Sequence, residues 1–146
     1  MRIAFDLDET LGVPITDGRT VVGFQFRVGC LGLLQRLSRE HHLILWTVSS
    51  HIYVDKALGF GLRPFFREVY CWDDLPGSWK DVRRVRADYL IDDSEHHMDA
   101  ARTYGLEERY IVVPAYGSPE DVADSALWVR LIDTRLGGNA TRNETP

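Results

Sequence analysis

Apolar positions along the chain gather into five short runs, at 3–5, 43–46, 68–72, 87–91 and 110–113, each ended by polar or turn-forming residues. Runs this short, rich in β-branched and aromatic residues, read as strands covered on both faces. Helical spacing fills the gaps. Residues 29–40 place Leu31, Leu34 and Leu37 on one face, 52–58 end at Gly59 and Gly61, and 95–104 carry Met98 and Ala101 before Gly105. A last helix is predicted over 119–136, opened by Pro119, with Val122, Ala126, Val129 and Ile132 inward. Strands alternating with helices predict an α/β fold. Its layers are α/β/α and Rossmann-like, with a central parallel sheet of about five strands and right-handed crossovers. Residues 12–27 start turn-rich and become extended, which predicts a small hairpin or flap. Residues 137–146 are polar and predict a disordered tail, leaving one domain over 1–136.

The polar stops carry the chemistry. The first strand ends at Asp6 and Asp8, followed by Thr10. In extended chain those two side chains share a face, at the strand end where open α/β sheets bind ligands. Carboxylates about 4 Å apart repel by about 4 kcal/mol at an effective dielectric of 20, so the pair needs a cation, a shared proton or water. Two further strands stop at Thr47/Ser49 and Asp92/Asp93. With the first strand between these two, all three clusters meet at a topological switch point, and a loop folding back would add Lys80. An oxygen-only carboxylate set suits Mg²⁺, and a hydroxyl and a lysine beside it would hold phosphate oxygens. Each residue has a plainer reading. Asp6 and Asp8 could begin a turn, Thr47 or Asp92-Asp93 could cap a helix, and Lys80 could be a solvated surface lysine.

The 146 residues suit one domain with a real core. A net charge of -5 argues against nucleic-acid phosphate as the main partner, while leaving a nucleic-acid end open as substrate. Cys30 and Cys71 read as buried, reduced thiols of a reducing compartment, and with no export pattern at the N-terminus a cytoplasmic location is expected. No run is long enough to span a bilayer, so no membrane partner is expected. The pairs His41-His42 and His96-His97 lack zinc-spaced partners and read as surface or packing residues. Trp72 and Trp79, near Lys80, either line a site entrance or pack.

The ordered set DLDET at 6–10, Thr47, Lys80 and Asp92-Asp93 resembles the four motifs of the haloacid dehalogenase superfamily. Within it the chain resembles the small capless phosphatases of the FCP/SCP type. Arg27-Val28-Gly29, Trp46-Thr47, Tyr53, Lys80-Asp81-Val82 and Asp92-Asp93-Ser94 stand at the matching positions. Departures are Val28 for proline and Val82 for leucine. The resemblance implies a Mg²⁺-dependent phosphomonoester hydrolase without a large cap domain. Asp6 would be the nucleophile, forming an aspartyl-phosphate, and Asp8 the general acid and base. Thr47 and Lys80 would bind the phosphoryl oxygens. Asp6, the backbone carbonyl of Asp8, and Asp92 or Asp93 would hold Mg²⁺. An open site admits a small phosphorylated molecule or a phosphoprotein. The competing reading is a catalytically silent or receiver-like phosphate-binding module. A receiver, however, carries its lysine after the last strand, and Lys80 precedes Asp92.

Overall fold

The computed structural model describes the backbone of residues 1–144 and the side chains of residues 1–137. Five parallel strands form one sheet. They are β1 (Arg2–Phe5), β4 (His42–Trp46), β5 (Glu68–Tyr70), β6 (Tyr89–Asp92) and β7 (Tyr110–Val112), in the order β5-β4-β1-β6-β7. Ile3, Ala4 and Phe5 of β1 are wholly buried, as a central strand requires. Alternation then sorts the core into two layers. Ile3, Phe5, Leu43 and Leu45 face one cluster, and Ala4, Ile44, Trp46 and Leu90 face the other. The expected placement of the first strand between the second and fourth is the one found, with Phe5 level with Leu45 on one side and Ile91 on the other.

Helices α1 (Cys30–Glu40), α2 (His51–Ala57), α3 (His96–Arg102), α4 (Pro119–Ala123) and α5 (Leu127–Glu144) flank the sheet. On α1 the buried face is Cys30, Leu33, Leu34 and Leu37, and Leu31 is exposed. An i, i+3, i+4, i+7 stripe starts one residue earlier than the leucine row suggested. The long C-terminal helix breaks in two at Asp124, whose backbone leaves the helical region and whose carboxylate accepts from the Ala126 N–H. Asp is suited to such a local stop. The break turns Trp128 and Ile132 into the core and leaves Val122 and Ala126 exposed, against the expected inner face. The backbone of α5 stays helical to Glu144, where a disordered tail was expected from 137, and Thr145 and Pro146 lie outside the described residues.

Residues 12–27 form an antiparallel hairpin, β2 (Gly12–Thr16) with β3 (Val21–Phe26), separate from the main sheet. Gly12 is required there. A Cβ on it would sit 2.1 Å from the Gln25 carbonyl oxygen. No helix among the described residues is long and apolar enough to cross a membrane.

Candidate active site

Strand β1 runs out at Phe5, but its ladder continues one residue further, Asp6 N–H donating to the Ile91 carbonyl at 2.9 Å. The chain then turns. Leu7 is buried, its carbonyl accepts from the N–H groups of Thr10 and Leu11, and Glu9 takes a left-handed backbone at φ 65°. Anchoring Leu7 in the core pins the acids on either side of it. The neighbouring strands end alike, Thr47 N–H bonding to the Tyr70 carbonyl and Val113 N–H to the Asp92 carbonyl. Three strand ends therefore deliver Asp6, Thr47 and Asp92 to one edge.

The Asp6, Lys80 and Asp92 side chains meet there. Lys80 Nζ donates to Asp6 Oδ1 at 2.8 Å and to Asp92 Oδ2 at 2.9 Å, and all three residues are buried. Burial opposes the Lys80 charge, but the two carboxylates outweigh it and hold the ammonium above the usual lysine range. The solvated-lysine reading therefore fails. The segment that returns Lys80 to the site is fixed at its backbone. Its N–H donates to His97 Nδ1 at 2.9 Å, and the Tyr110 hydroxyl donates to its carbonyl at 2.7 Å. Burial first, and then the Lys80 charge, push His97 down to about 4. His97 is thus a neutral packing partner, as expected, although its bond to the lysine backbone is visible only in three dimensions.

Asp93 joins through Thr10, whose hydroxyl lies 3.0 Å from both Asp6 Oδ2 and Asp93 Oδ1 and accepts from the Asp93 N–H at 3.1 Å. Nothing in the sequence assigns Thr10 this bridging role beyond its place two residues after Asp8, on the turn. Asp6, Asp92 and Asp93 each offer an oxygen within 4.8 Å of the others. Lys80 brings one positive charge against three carboxylates. Burial first, and then the facing Asp6 carboxylate, push the Asp93 carboxyl up to about 7. Three clustered carboxylates facing one ammonium, with only oxygen donors, fit a hard divalent cation. Within the acidic pair the two residues differ. Asp92 is engaged at both oxygens, by Lys80 and by the Ser94 N–H at 3.0 Å.

Asp8 has partners of its own. Ser49 Oγ donates to Asp8 Oδ2 at 2.9 Å, and the Tyr53 hydroxyl donates to Asp8 Oδ1. The chain leaves extended geometry after Leu7, at the turn that Thr10 and Leu11 close. Burial, and then the bond to Asp8, raise the Tyr53 phenol above the usual tyrosine range, so it remains a donor. Thr47 is buried and its hydroxyl accepts from the Ser49 N–H at 3.1 Å. That is a local cap bond, but it leaves Thr47 lining the same cleft as Lys80. Trp72 and Trp79 line that cleft too. Cys30 and Cys71 are free and buried. His51, Cys71 and Asp74 also come within 4.8 Å of one another. An exposed His51–Asp74 ion pair accounts for the contact, and burial first, and then Asp74, push the Cys71 thiol up to about 11.

No family profile and no curated protein sequence matches the chain. Solved structures do. A Thermotoga maritima protein described as a β-phosphoglucomutase superposes with a TM-score of 0.59 at 13% identity, covering 85% of this chain and 90% of that one. Fcp1, an RNA polymerase II CTD phosphatase, gives 0.61 at 16% identity, over 99% of this chain and 54% of that one. The fission yeast Fcp1 R271A variant, bound to beryllium fluoride, gives 0.55 at 17%, over 80% and 42%. The chain spans about half the length of the Fcp1 structures. The chain shares the fold of these solved structures, a five-stranded parallel sheet flanked by helices, with no large cap domain among the described residues.

Proposed function

We propose that this chain is a Mg²⁺-dependent phosphomonoester hydrolase working through an aspartyl-phosphate on Asp6. The observation that carries the reading is the convergence of Lys80 on Asp6 and Asp92, with Asp93 and Thr10 completing a buried, negatively charged pocket. The alternatives, a receiver-like or silent module, need no proton-transfer group. The separate hydrogen-bonded seat of Asp8 supplies one.

In this reading an Asp6 oxygen attacks phosphorus while the bond to the leaving alcohol breaks. Asp8, as general acid, gives a proton to the departing alcohol oxygen. Water then attacks the acyl phosphate, Asp8 takes its proton, phosphate leaves and the Asp6 carboxylate is restored. Ser49 and Tyr53 hold both Asp8 oxygens and so fix its direction. Lys80 and Thr47 bind phosphoryl oxygens, where fixed donors favour the charge that spreads in the transition state. Asp6, the Asp8 backbone carbonyl, and Asp92 or Asp93 are the residues that would hold Mg²⁺, Lys80 meeting both Asp6 and Asp92 beside them. When bound, the ion supplies charge neutralisation between Asp6 and the phosphoryl group.

Without a large cap the site is open to a phosphoprotein as well as to a small ester, and the Fcp1 neighbours, as RNA polymerase II CTD phosphatases, keep the first within range. The test is phosphate release from para-nitrophenyl phosphate with Mg²⁺. Turnover abolished by Asp6→Asn and by chelation is expected. A protein inert toward a broad phosphomonoester panel would establish the silent-module reading instead.

A further inference from the structure

The turn after β5 carries two metal-binding side chains. Asp74 N–H donates to the Cys71 carbonyl at 3.1 Å, and Cys71 N–H donates back to Asp74 Oδ2 at 2.8 Å. Cys71 and Asp74 thus stand at the interval at which Cys-x-x-Cys loops supply a pair of zinc ligands. A third donor comes from elsewhere in the chain. His51, the first residue of α2, places Nε2 3.1 Å from Asp74 Oδ1 and 3.6 Å from Asp73 Oδ2. One ligand atom from each of His51, Cys71 and Asp74 lies within 4.8 Å of the other two.

The ion pair accounts for the meeting of His51 with Asp74, but not for the thiol beside them. Nitrogen, sulfur and oxygen together make a borderline-soft donor set, unlike the oxygen-only group at Asp6. Zinc in a tetrahedron, about 2.3 Å from sulfur and about 2.0 Å from nitrogen and oxygen, sets its ligand atoms about 3.5 Å apart. The side chains that must close in are the free ones. His51 and Asp74 are 48% and 35% exposed, while Cys71 is buried in the core. The local field favours a cation. The bond to Asp74, and then the Asp73, Asp74 and Asp55 charges, hold the His51 imidazole above its usual range. Burial first, and then the same three carboxylates, raise the Cys71 thiol.

We infer that His51, Cys71 and Asp74 form a zinc site, distinct from the three-acid group and independent of the hydrolase reading. Water takes the fourth position. As the ion enters, the Cys71 thiol releases its proton to solvent and the His51–Asp74 bond gives way to two metal bonds. The ion's task is structural. The loop after β5 is joined to the entry of α2 by the Trp72 N–H, which donates to the Ser49 carbonyl at 3.2 Å. Zinc adds a three-point clasp between the same two segments, next to Ser49 and Tyr53, which hold Asp8.

Cobalt tests the site in the full chain, with Mg²⁺ in excess to compete at the three-acid group. Co²⁺ bound by a thiolate gives an intense near-ultraviolet charge-transfer band that oxygen ligands do not give. The band is expected in the native protein and in Asp6→Asn, and one equivalent of Zn²⁺ should remove it. It should vanish in Cys71→Ala and survive Cys30→Ala. His51→Ala changes an exposed residue, so the fold should stand while zinc affinity, read by competition with a chromophoric chelator, falls about 100-fold. Loss of a ligand costs at least as much as loss of a ligand's outer partner, about 10–100-fold. Zinc should raise the melting temperature of the native protein and leave that of His51→Ala unchanged. A native protein without the band, a band that persists in Cys71→Ala or is lost in Cys30→Ala or Asp6→Asn, or equal zinc affinity in native protein and His51→Ala overturns the site. Phosphatase turnover does not enter the test.

Discussion

Two buried charge clusters meet the Asp6–Thr10 turn, one through its side chains and one through the Thr10 carbonyl, and they differ in their balance of charge. Around Arg27 the balance is even. Its guanidinium pairs with Asp121 at 3.0 Å, donates to the carbonyls of Thr10 and Pro114, and lies 4.7 Å over the Trp128 ring. Asp121 in turn accepts from the Gly117 N–H. Around Lys80 one ammonium faces Asp6, Asp92 and Asp93. A balanced cluster joins the hairpin, the turn and α4 into one body. An unbalanced one leaves negative charge without a partner, which on the proposed function a divalent cation would neutralise. Burial alone separates neither from the other, since Arg27 and Lys80 are buried alike. The charge left over does.

The sharpest break of this comparison is to neutralise one member of each. Asp6→Asn should cut phosphate release by about 10³-fold or more, because on the proposed mechanism it removes the nucleophile. In EDTA the same variant should melt at a higher temperature than the native protein, since it relieves like-charge repulsion. Arg27→Met should do the reverse. It leaves Asp121 buried without its partner, which costs about 3–5 kcal/mol of a total near 5–15 kcal/mol, read by urea denaturation. The protein that remains folded should turn over normally. Loss of stability in Asp6→Asn, or a stable Arg27→Met, would show that the two clusters do not differ as charge balance says.

Much of the active edge could be read in the sequence because it depends on strand ends. Ile3-Ala4-Phe5 stops at Asp6, Leu45-Trp46 at Thr47 and Ile91 at Asp92, and parallel packing aligns those stops without further information. What stayed hidden depends on geometry past the strands. The bonds from Ser49 and Tyr53 to Asp8 form past a turn closed by the Leu7 carbonyl, and the burial of Lys80 comes from a loop held by His97 and Tyr110. The C-terminal helix was misread for a related reason. Val122, Ala126, Val129 and Ile132 keep helical spacing, but one side-chain bond at Asp124 resets the phase and puts Trp128 inside.

The surplus of negative charge also has a pH signature. Asp93, ordinarily titrating near 3.8, is pushed up to about 7 by burial and then by Asp6. The folded protein therefore holds a proton that the unfolded chain has released between those values. This contribution to stability is full below about pH 4 and is lost as pH rises through 7, a loss trimmed by solvent at a half-exposed group. In EDTA the melting temperature should fall from pH 5 to pH 8. Asp93→Asn should flatten that slope, and Mg²⁺ at pH 8 should raise the native protein more than the variant. Parallel slopes for the two proteins would remove Asp93 from the unbalanced cluster.

The smallest effect concerns the acid that stands outside both clusters. Tyr53→Phe removes one of the two hydroxyls on Asp8 and leaves Ser49 in place. A hydrogen bond to a charged group is worth about 1.5–3 kcal/mol, but Ser49 and water offset part of it, so a fall in kcat of about fivefold is expected. The loss should depend on the leaving group. An alkyl phosphate needs its departing oxygen protonated, whereas para-nitrophenolate leaves with little help, so Tyr53→Phe should slow the alkyl ester more. Equal slowing of both would mean that Tyr53 supports the site's shape and does not aim a proton. Asp8 would then have to be directed by Ser49 alone.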